Sequence, residues 1–170
     1  GSVVSVNFGM QLRNRKIYPN DVIQNPLADE ITEYHKKCYT GRDIKEFHVN
    51  YDNRYCFFNR VAKSGGCWDE KVQLANPKLL VPQIGKFPVA GIDNKGYAVL
   101  NTAFLIVPFK PEEVYSIMAI VNSPVTKFFW SKKYYDQRQT FPKIKGTYLK
   151  ELPLPEEYQK KEVKTLSKII

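Results

Sequence analysis

The stretch from Leu79 to Val107 constrains the fold most. Leu79–Ile84 and Val89–Ile92 are apolar runs separated by Gly85 and Pro88. Asp93-Asn-Lys-Gly96 follows, a sequence built for a tight turn, because Asp and Asn bond their own backbone and Gly accepts a positive φ. Tyr97–Val107 is then a long, mostly apolar run. Runs this short between strong turn signals read as strands, and their order predicts an antiparallel hairpin or meander. A second pattern begins at Pro111-Glu-Glu113. Proline in a first turn and acids at the positive end of the dipole open a helix. Val114, Ile117, Met118 and Val121 give it an apolar stripe. Ser123-Pro124 restarts a second helix through Phe128, Phe129 and Trp130, with Trp130 expected in the core. Strands followed by helices predict an α+β fold: a mixed, mainly antiparallel sheet with packed helices.

The flanking segments are less regular. Val3–Phe8 reads as a strand and Gln11–Lys16 as a polar, basic loop. Asn25-Pro26 is expected to cap a short helix carrying Leu27, Ile31 and Tyr34. Gly41 should end whatever precedes it, and Phe141-Pro142 and Gly146 should break the chain again. Tyr55–Phe58 reads as a short strand, and Gly65-Gly66 marks a flexible turn in a loop over 63–70. Leu152-Pro-Leu-Pro155 is an extended stop. Residues 156–170 resume as a charged helix with Val163, Leu166 and Ile170 on one face and Lys160, Lys161, Lys164 and Lys168 on its wet side. That helix, or the start of a coil or linker, would be an appendage to a domain over 3–155. Gly1-Ser2 reads as a cloning scar, and the chain as a fragment of a longer protein.

Charge is concentrated. Residues 127–150 hold seven Lys/Arg against the single acid Asp136, which is +6 of the chain's formal +9. Seven aromatics share the same stretch. Cations of this density suit phosphate, whose counterions they release. A solvated face over an aromatic core is the plainer alternative. A pI near 9.4 favours a nucleic acid or an anionic surface as partner. No apolar run is long enough to span a bilayer, and none reads as a signal peptide.

Several chemistries lack their residues. Cys38, Cys56 and Cys67 lie 18 and 11 residues apart. An odd count without CxxC opposes a disulfide framework and a zinc site, so packed or surface thiols in a reducing cytoplasm are expected. His35 and His48 have no partner at ligand spacing. There is no phosphate-cradling glycine loop. Asp69-Glu70-Lys71 has the makings of a metal-dependent nuclease centre but lacks a second acid on a nearby strand, and a solvated turn accounts for it. Asn122-Ser-Pro-Val is only superficially like the Asn-Pro-Pro-Tyr loop of adenine methyltransferases. The chain alone is therefore expected to be non-catalytic, with no cofactor or metal of its own.

Four segments in order carry a resemblance. They are Gly41-Arg-Asp-Ile44 with Phe47; Lys78–Gly85 with Val89–Asp93 and Tyr97–Thr102; Ala119-Ile-Val-Asn-Ser123; and Phe141-Pro-Lys-Ile-Lys145 with Leu149 and Leu152–Pro155. Over roughly residues 10–155 this order resembles the TaqI-like C-terminal specificity domain. That domain is the target-recognition module of adenine-methylating type II, IIG and related restriction–modification enzymes, with relatives in type I specificity subunits. The resemblance implies a module that grips double-stranded DNA opposite a methyltransferase domain of the same or a partner chain. That partner would flip the adenine and use S-adenosylmethionine, with or without endonuclease activity in the parent protein, in a bacterial cytoplasm.

The matched residues look like scaffold: Gly41 for a turn, Asn122-Ser123 for a cap between helices, Pro153 and Pro155 for chain direction. DNA contacts are expected between them, on Arg13, Arg15, Lys16, Arg60, Lys63, Lys132, Lys133, Gln137, Arg138, Gln139, Lys143 and Lys145. Arg138 between two glutamines is the leading base-reading candidate, since a guanidinium fork matches guanine. The alternatives are a single-strand DNA or RNA-binding domain, a nuclease on Asp69, Glu70 and Lys71, or a domain whose basic face meets an acidic protein.

Overall fold

The structure, a computed structural model, describes residues 3–134 and 142–155. Its centre is a five-stranded sheet in the order β1-β11-β8-β9-β5. These strands are β1 (Val4–Phe8), β5 (Phe47–His48), β8 (Lys78–Pro82), β9 (Gly91–Asp93) and β11 (Ala103–Pro108). All pair antiparallel except β5 with β9. The α+β class and the predominance of antiparallel pairing agree with the sequence.

Side chains alternate across this sheet, as the period of two requires. Leu79, Val81, Phe104 and Ile106 face one way. They pack against Val114, Ile117, Met118 and Val121 of α2 (Val114–Asn122) and Trp130 of α3 (Pro124–Lys133). Each such burial contributes about 1.5–3 kcal/mol relative to exposure. Leu80, Ala103 and Leu105 face the other way, against Tyr39, Ile44 and Val99. This second side is a four-stranded sheet in the order β10-β4-β6-β3. Its strands are β3 (Val22–Gln24), β4 (His35–Tyr39), β6 (Arg54–Phe57) and β10 (Ala98–Val99). A ribbon of β2 (Gln11–Leu12) and β7 (Lys63–Gly65) borders it. A short α1 (Glu70–Gln73) follows β7, and α4 (Gly146–Lys150) packs on β1.

The two helices begin and end as their caps dictate. Ser123 Oγ accepts from Thr126 N at 3.1 Å, and Pro124 occupies the first turn of α3. Ser123 alone supplies that cap, not Asn122, whose amide accepts from Ala90 N at 2.7 Å and donates to Ala90 O at 2.9 Å. The amide thus imitates a strand partner for the residue before β9.

Four expectations are corrected. The Tyr97–Val107 run is not one strand. Ala98–Val99 pairs with Cys38–Tyr39 in the second sheet, and Ala103–Pro108 belongs to the first. The chain crosses between the layers at Leu100–Thr102; both halves are buried, so an apolar run conceals the crossing. The helix after Asn25-Pro26 is only a 3-10 turn, Ala28–Glu30. Leu27 is 68% exposed and Tyr34 46%, so the supposed stripe has no surface to bury it. Gly41 starts a 3-10 turn rather than ending an element, and Gly146 starts α4. Gly65-Gly66 is not loose: Gly65 lies in β7, and a Cβ on Gly66 (φ +72°) would fall 2.1 Å from Gly9 O. The expected helix over 156–170 lies outside the described residues.

Candidate nucleic-acid interface

The layer crossing organises the basic residues. Leu100 N donates to Tyr39 O at 3.0 Å, Asn101 N to Met10 O at 3.0 Å, and Gln83 N to Thr102 O at 2.9 Å. Ile144 N donates to Gln83 O at 2.7 Å, and Gly85 N to Pro142 O at 2.9 Å. The chain leaving β1, the turn after β4, the exit of β8 and the segment before α4 are therefore stitched to one end of the central sheet. Gly41 belongs to the same stitching. Its N donates to Thr102 Oγ1 at 2.8 Å, and a Cβ there would lie 2.5 Å from Thr102 O.

On this end β2 and β7 pair, Gln11 with Gly65 and Leu12 with Lys63. The pairing brings the Arg13–Lys16 segment beside Arg60–Lys63, two groups separated by more than forty residues of sequence. Arg15, Lys16, Arg60 and Lys63 are exposed and make no ion pair with any described residue. Arg13 and Arg15 line a polar groove of about 540 Å³ floored by Leu100, Asn101 and Thr102. Arg60 and Lys63 line a wider cleft of about 1140 Å³, whose wall includes Tyr34, Phe58 and Trp68. Phe58 and Trp68 pack at 5.8 Å, and Trp68 Nε1 donates to Gly65 O at 2.9 Å, so that wall also holds β7 in place.

The other candidates sit elsewhere or are already engaged. Lys143 is exposed beside Ile84, within the stitched end. Lys132 and Lys133 stand on the last turn of α3. Lys132 Nζ lies 5.6 Å from the Phe128 ring centroid. Lys133 reaches Glu151 at 3.5 Å, and the Tyr134 hydroxyl and the Glu151 carboxylate hold its ammonium above the usual range. Lys145 Nζ donates to Tyr148 Oη at 3.3 Å. Neither Lys132 nor Lys133 lines the two clefts. Gln137, Arg138 and Gln139 lie outside the described residues. Trp130 is 2% exposed, as its helical spacing implied.

Some charges prove to be structural. Arg54, at the start of β6, pairs with Asp43 at 2.6 Å and Asp52 at 3.2 Å. Asp43 is buried and also accepts from Thr40 N at 2.6 Å. Asp69 is a helix cap, accepting from Lys71 N at 2.9 Å and from Val72 N at 3.4 Å. Asp93 does turn chemistry, accepting from Lys95, Gly96 and Tyr97 N–H groups. It also holds Lys78 Nζ at 2.6 Å with both side chains wholly buried. Burial pulls the Lys78 ammonium below its usual range while Asp93 opposes it.

Sequence reasoning missed that pair and missed Gln73. The Gln73 side chain accepts from Val99 N at 2.8 Å and donates to Cys67 O at 2.9 Å, fixing β10 just before the crossing. The available signal for Lys78 was a lysine heading a continuous apolar run. Gln73 offered none.

No group of three or more His, Cys, Asp or Glu that could hold a metal occurs among the described residues. No helix among them is long and apolar enough to cross a membrane. Compared with known families, residues 36–154 match the family model described as the TaqI-like C-terminal specificity domain. No curated protein matches the chain.

Proposed function

Because the chain belongs to the TaqI-like C-terminal specificity domains of restriction–modification proteins, we propose that it is a DNA target-recognition module that grips duplex DNA with the stitched end of its central sheet. The observation that carries this is the β2–β7 ribbon. It gathers four cations that make no ion pair with any described residue beside a groove lined by Gln11, Asn14 and Asn101. Cations neutralise phosphate and set the register; amides and guanidinium groups read base edges. Both kinds of group stand here on a ribbon and a strand crossing held by backbone bonds.

In this reading the chain is non-catalytic. It serves a bacterial, cytoplasmic adenine methyltransferase of type II, IIG or type I, with or without cleavage activity. S-adenosylmethionine and the flipped adenine are assigned to the methyltransferase domain with which a specificity domain of this family works.

Selection from a pool of randomised duplexes tests the proposal. Enrichment of a short motif, with weaker binding to the matching single strands, is expected. No duplex binding at low salt, or a preference for single strands, would refute it. Transfer of methyl label to DNA by the chain alone would refute the non-catalytic part.

A further inference from the structure

Arg13 differs from its neighbours at the ribbon, Arg15, Lys16, Arg60 and Lys63. Its Nε donates to Asp21 Oδ2 at 3.0 Å and its Nη2 to Asp21 Oδ1 at 2.6 Å. Asp21 is only 4% exposed, at the close of a 3-10 turn that leads into β3. The guanidinium carbon lies 3.8 Å from the centroid of the Tyr18 ring. One edge of the guanidinium is thus held by a buried carboxylate and one face by an aromatic ring. Plane and direction are both set before any ligand arrives.

A guanidinium carries five N–H donors in a rigid fork. Two are committed to Asp21. The remaining Nη1/Nη2 edge still offers two parallel N–H groups. The side chain is 27% exposed and lines the groove beside Gln11, Asn14 and Asn101.

Three ligand groups match such an edge: a carboxylate, a phosphate, and the O6/N7 pair of guanine. The Arg13–Asp21 pair has no net charge, so it attracts a phosphate weakly through Coulomb forces. Phosphate also gains little from a fixed plane, since a lysine point charge serves it. Guanine gains most. Its two acceptors are coplanar and fixed in the major groove, and pre-organisation removes the ordering cost of a long side chain. Arg15 and Lys16 next to it, which make no ion pair with any described residue, are the better phosphate ligands.

We propose that Arg13 reads a guanine in the target through its Nη1/Nη2 edge, with Asp21 and Tyr18 as the residues that position it. The assignment rests on the DNA-recognition reading above and names one specificity-determining residue within it. Residue 13 lies outside the matched span 36–154.

The test uses the whole chain and the motif recovered from randomised duplexes. Dissociation constants are measured on that motif and on copies carrying 7-deazaguanine, which lacks the N7 acceptor, at each guanine in turn. Wild type should weaken about tenfold at one guanine, because loss of N7 leaves one of the two paired N–H groups without its acceptor while O6 keeps the other. Arg13→Lys should bind both forms of that duplex equally, with unchanged affinity for unrelated duplexes. Asp21→Asn should lose part of the discrimination yet bind unrelated duplexes more tightly, with a salt slope steeper by up to about one, because it unmasks a charge. A merely structural ion pair would not produce that gain. Thermal melting identifies any variant that fails to fold, and Arg13→Lys, which keeps the charge beside Asp21, carries the test alone if Asp21→Asn does so. A motif without guanine, an Arg13→Lys profile identical to wild type, or an equal loss on all duplexes would overturn the assignment. A wild-type chain that binds no duplex overturns the DNA reading itself, which separates the two failures.

Discussion

Replacing Arg60 and Lys63 together with alanine should remove about two phosphate contacts and little else. Both side chains are exposed and make no ion pair with any described residue, so each change should cost no more than about 0.5 kcal/mol of stability. Arg15, Lys16, Arg60 and Lys63 flank the ribbon and make no ion pair with any described residue. If each neutralises one phosphate, together they contribute a slope of about −3.6 to log affinity against log salt. That slope alone corresponds to a fall of roughly 150-fold between 50 and 200 mM. The double variant keeps about −1.8, or a fall of roughly tenfold over the same range. Contributions from elsewhere add equally to both proteins, so the difference of about 1.8 is the readable quantity. Fluorescence anisotropy with a labelled duplex at several salt concentrations measures it, and urea unfolding checks that the fold survives. Lys110→Ala is the control, since Lys110 pairs with Glu113 before α2. If the double variant keeps the wild-type slope, the ribbon is not the phosphate-binding face.

Two further outcomes concern the scaffold. Asp93→Ala should destabilise the chain by about 3–5 kcal/mol, because it strands the buried Lys78 ammonium; Lys78→Met should cost less, since Asp93 keeps three backbone N–H donors, and the reverse order in urea midpoints would defeat this account. Cys67 should react with a thiol reagent in the native chain while Cys38 and Cys56 wait for unfolding. Burial first, and Cys38 second, push the Cys56 thiol well above its usual value. Its protonated form is therefore favoured by folding, so its contribution is intact below the unfolded value near 9 and declines as pH rises past it. A urea midpoint that climbs between pH 8 and 10 would contradict this.

What could be read from the sequence was local. Apolar runs between turn signals marked β8 and β11 as strands, and Ser123-Pro124 marked the break between α2 and α3, because turns and helix caps are decided by neighbours a few residues apart. The Asn25-Pro26 helix failed for the opposite reason: its start signal is local, but a helix needs a surface to bury its stripe, and Leu27 and Tyr34 have none. Gln73 and Asn122 act on Val99 and Ala90, 26 and 32 residues away. An amide replacing a strand partner at that range leaves no mark in a window of ten residues. The ribbon was equally hidden, since β2 and β7 span two and three residues of mixed polarity.

The candidate site was legible as a set of residues and illegible as a place. Charge singled out Arg13, Arg15, Lys16, Arg60 and Lys63, but nothing in their spacing said that Leu12 pairs with Lys63. That proximity follows from the crossing at Leu100–Thr102, which anchors Met10 and Gln83 through backbone bonds. The residues carrying the family resemblance have duties that a change of target need not disturb. Gly41 touches Thr102 through its backbone, Asn122 holds Ala90, and Lys78 holds Asp93. Arg15, Lys16, Arg60 and Lys63 make no ion pair with any described residue, whereas a buried acid fixes Arg13. A module divided in this way can change what it reads by replacing loop side chains while the stitching stays intact. Arg13→Lys should therefore alter recognition at little cost in stability, whereas Asp93→Ala should alter stability before recognition can be measured.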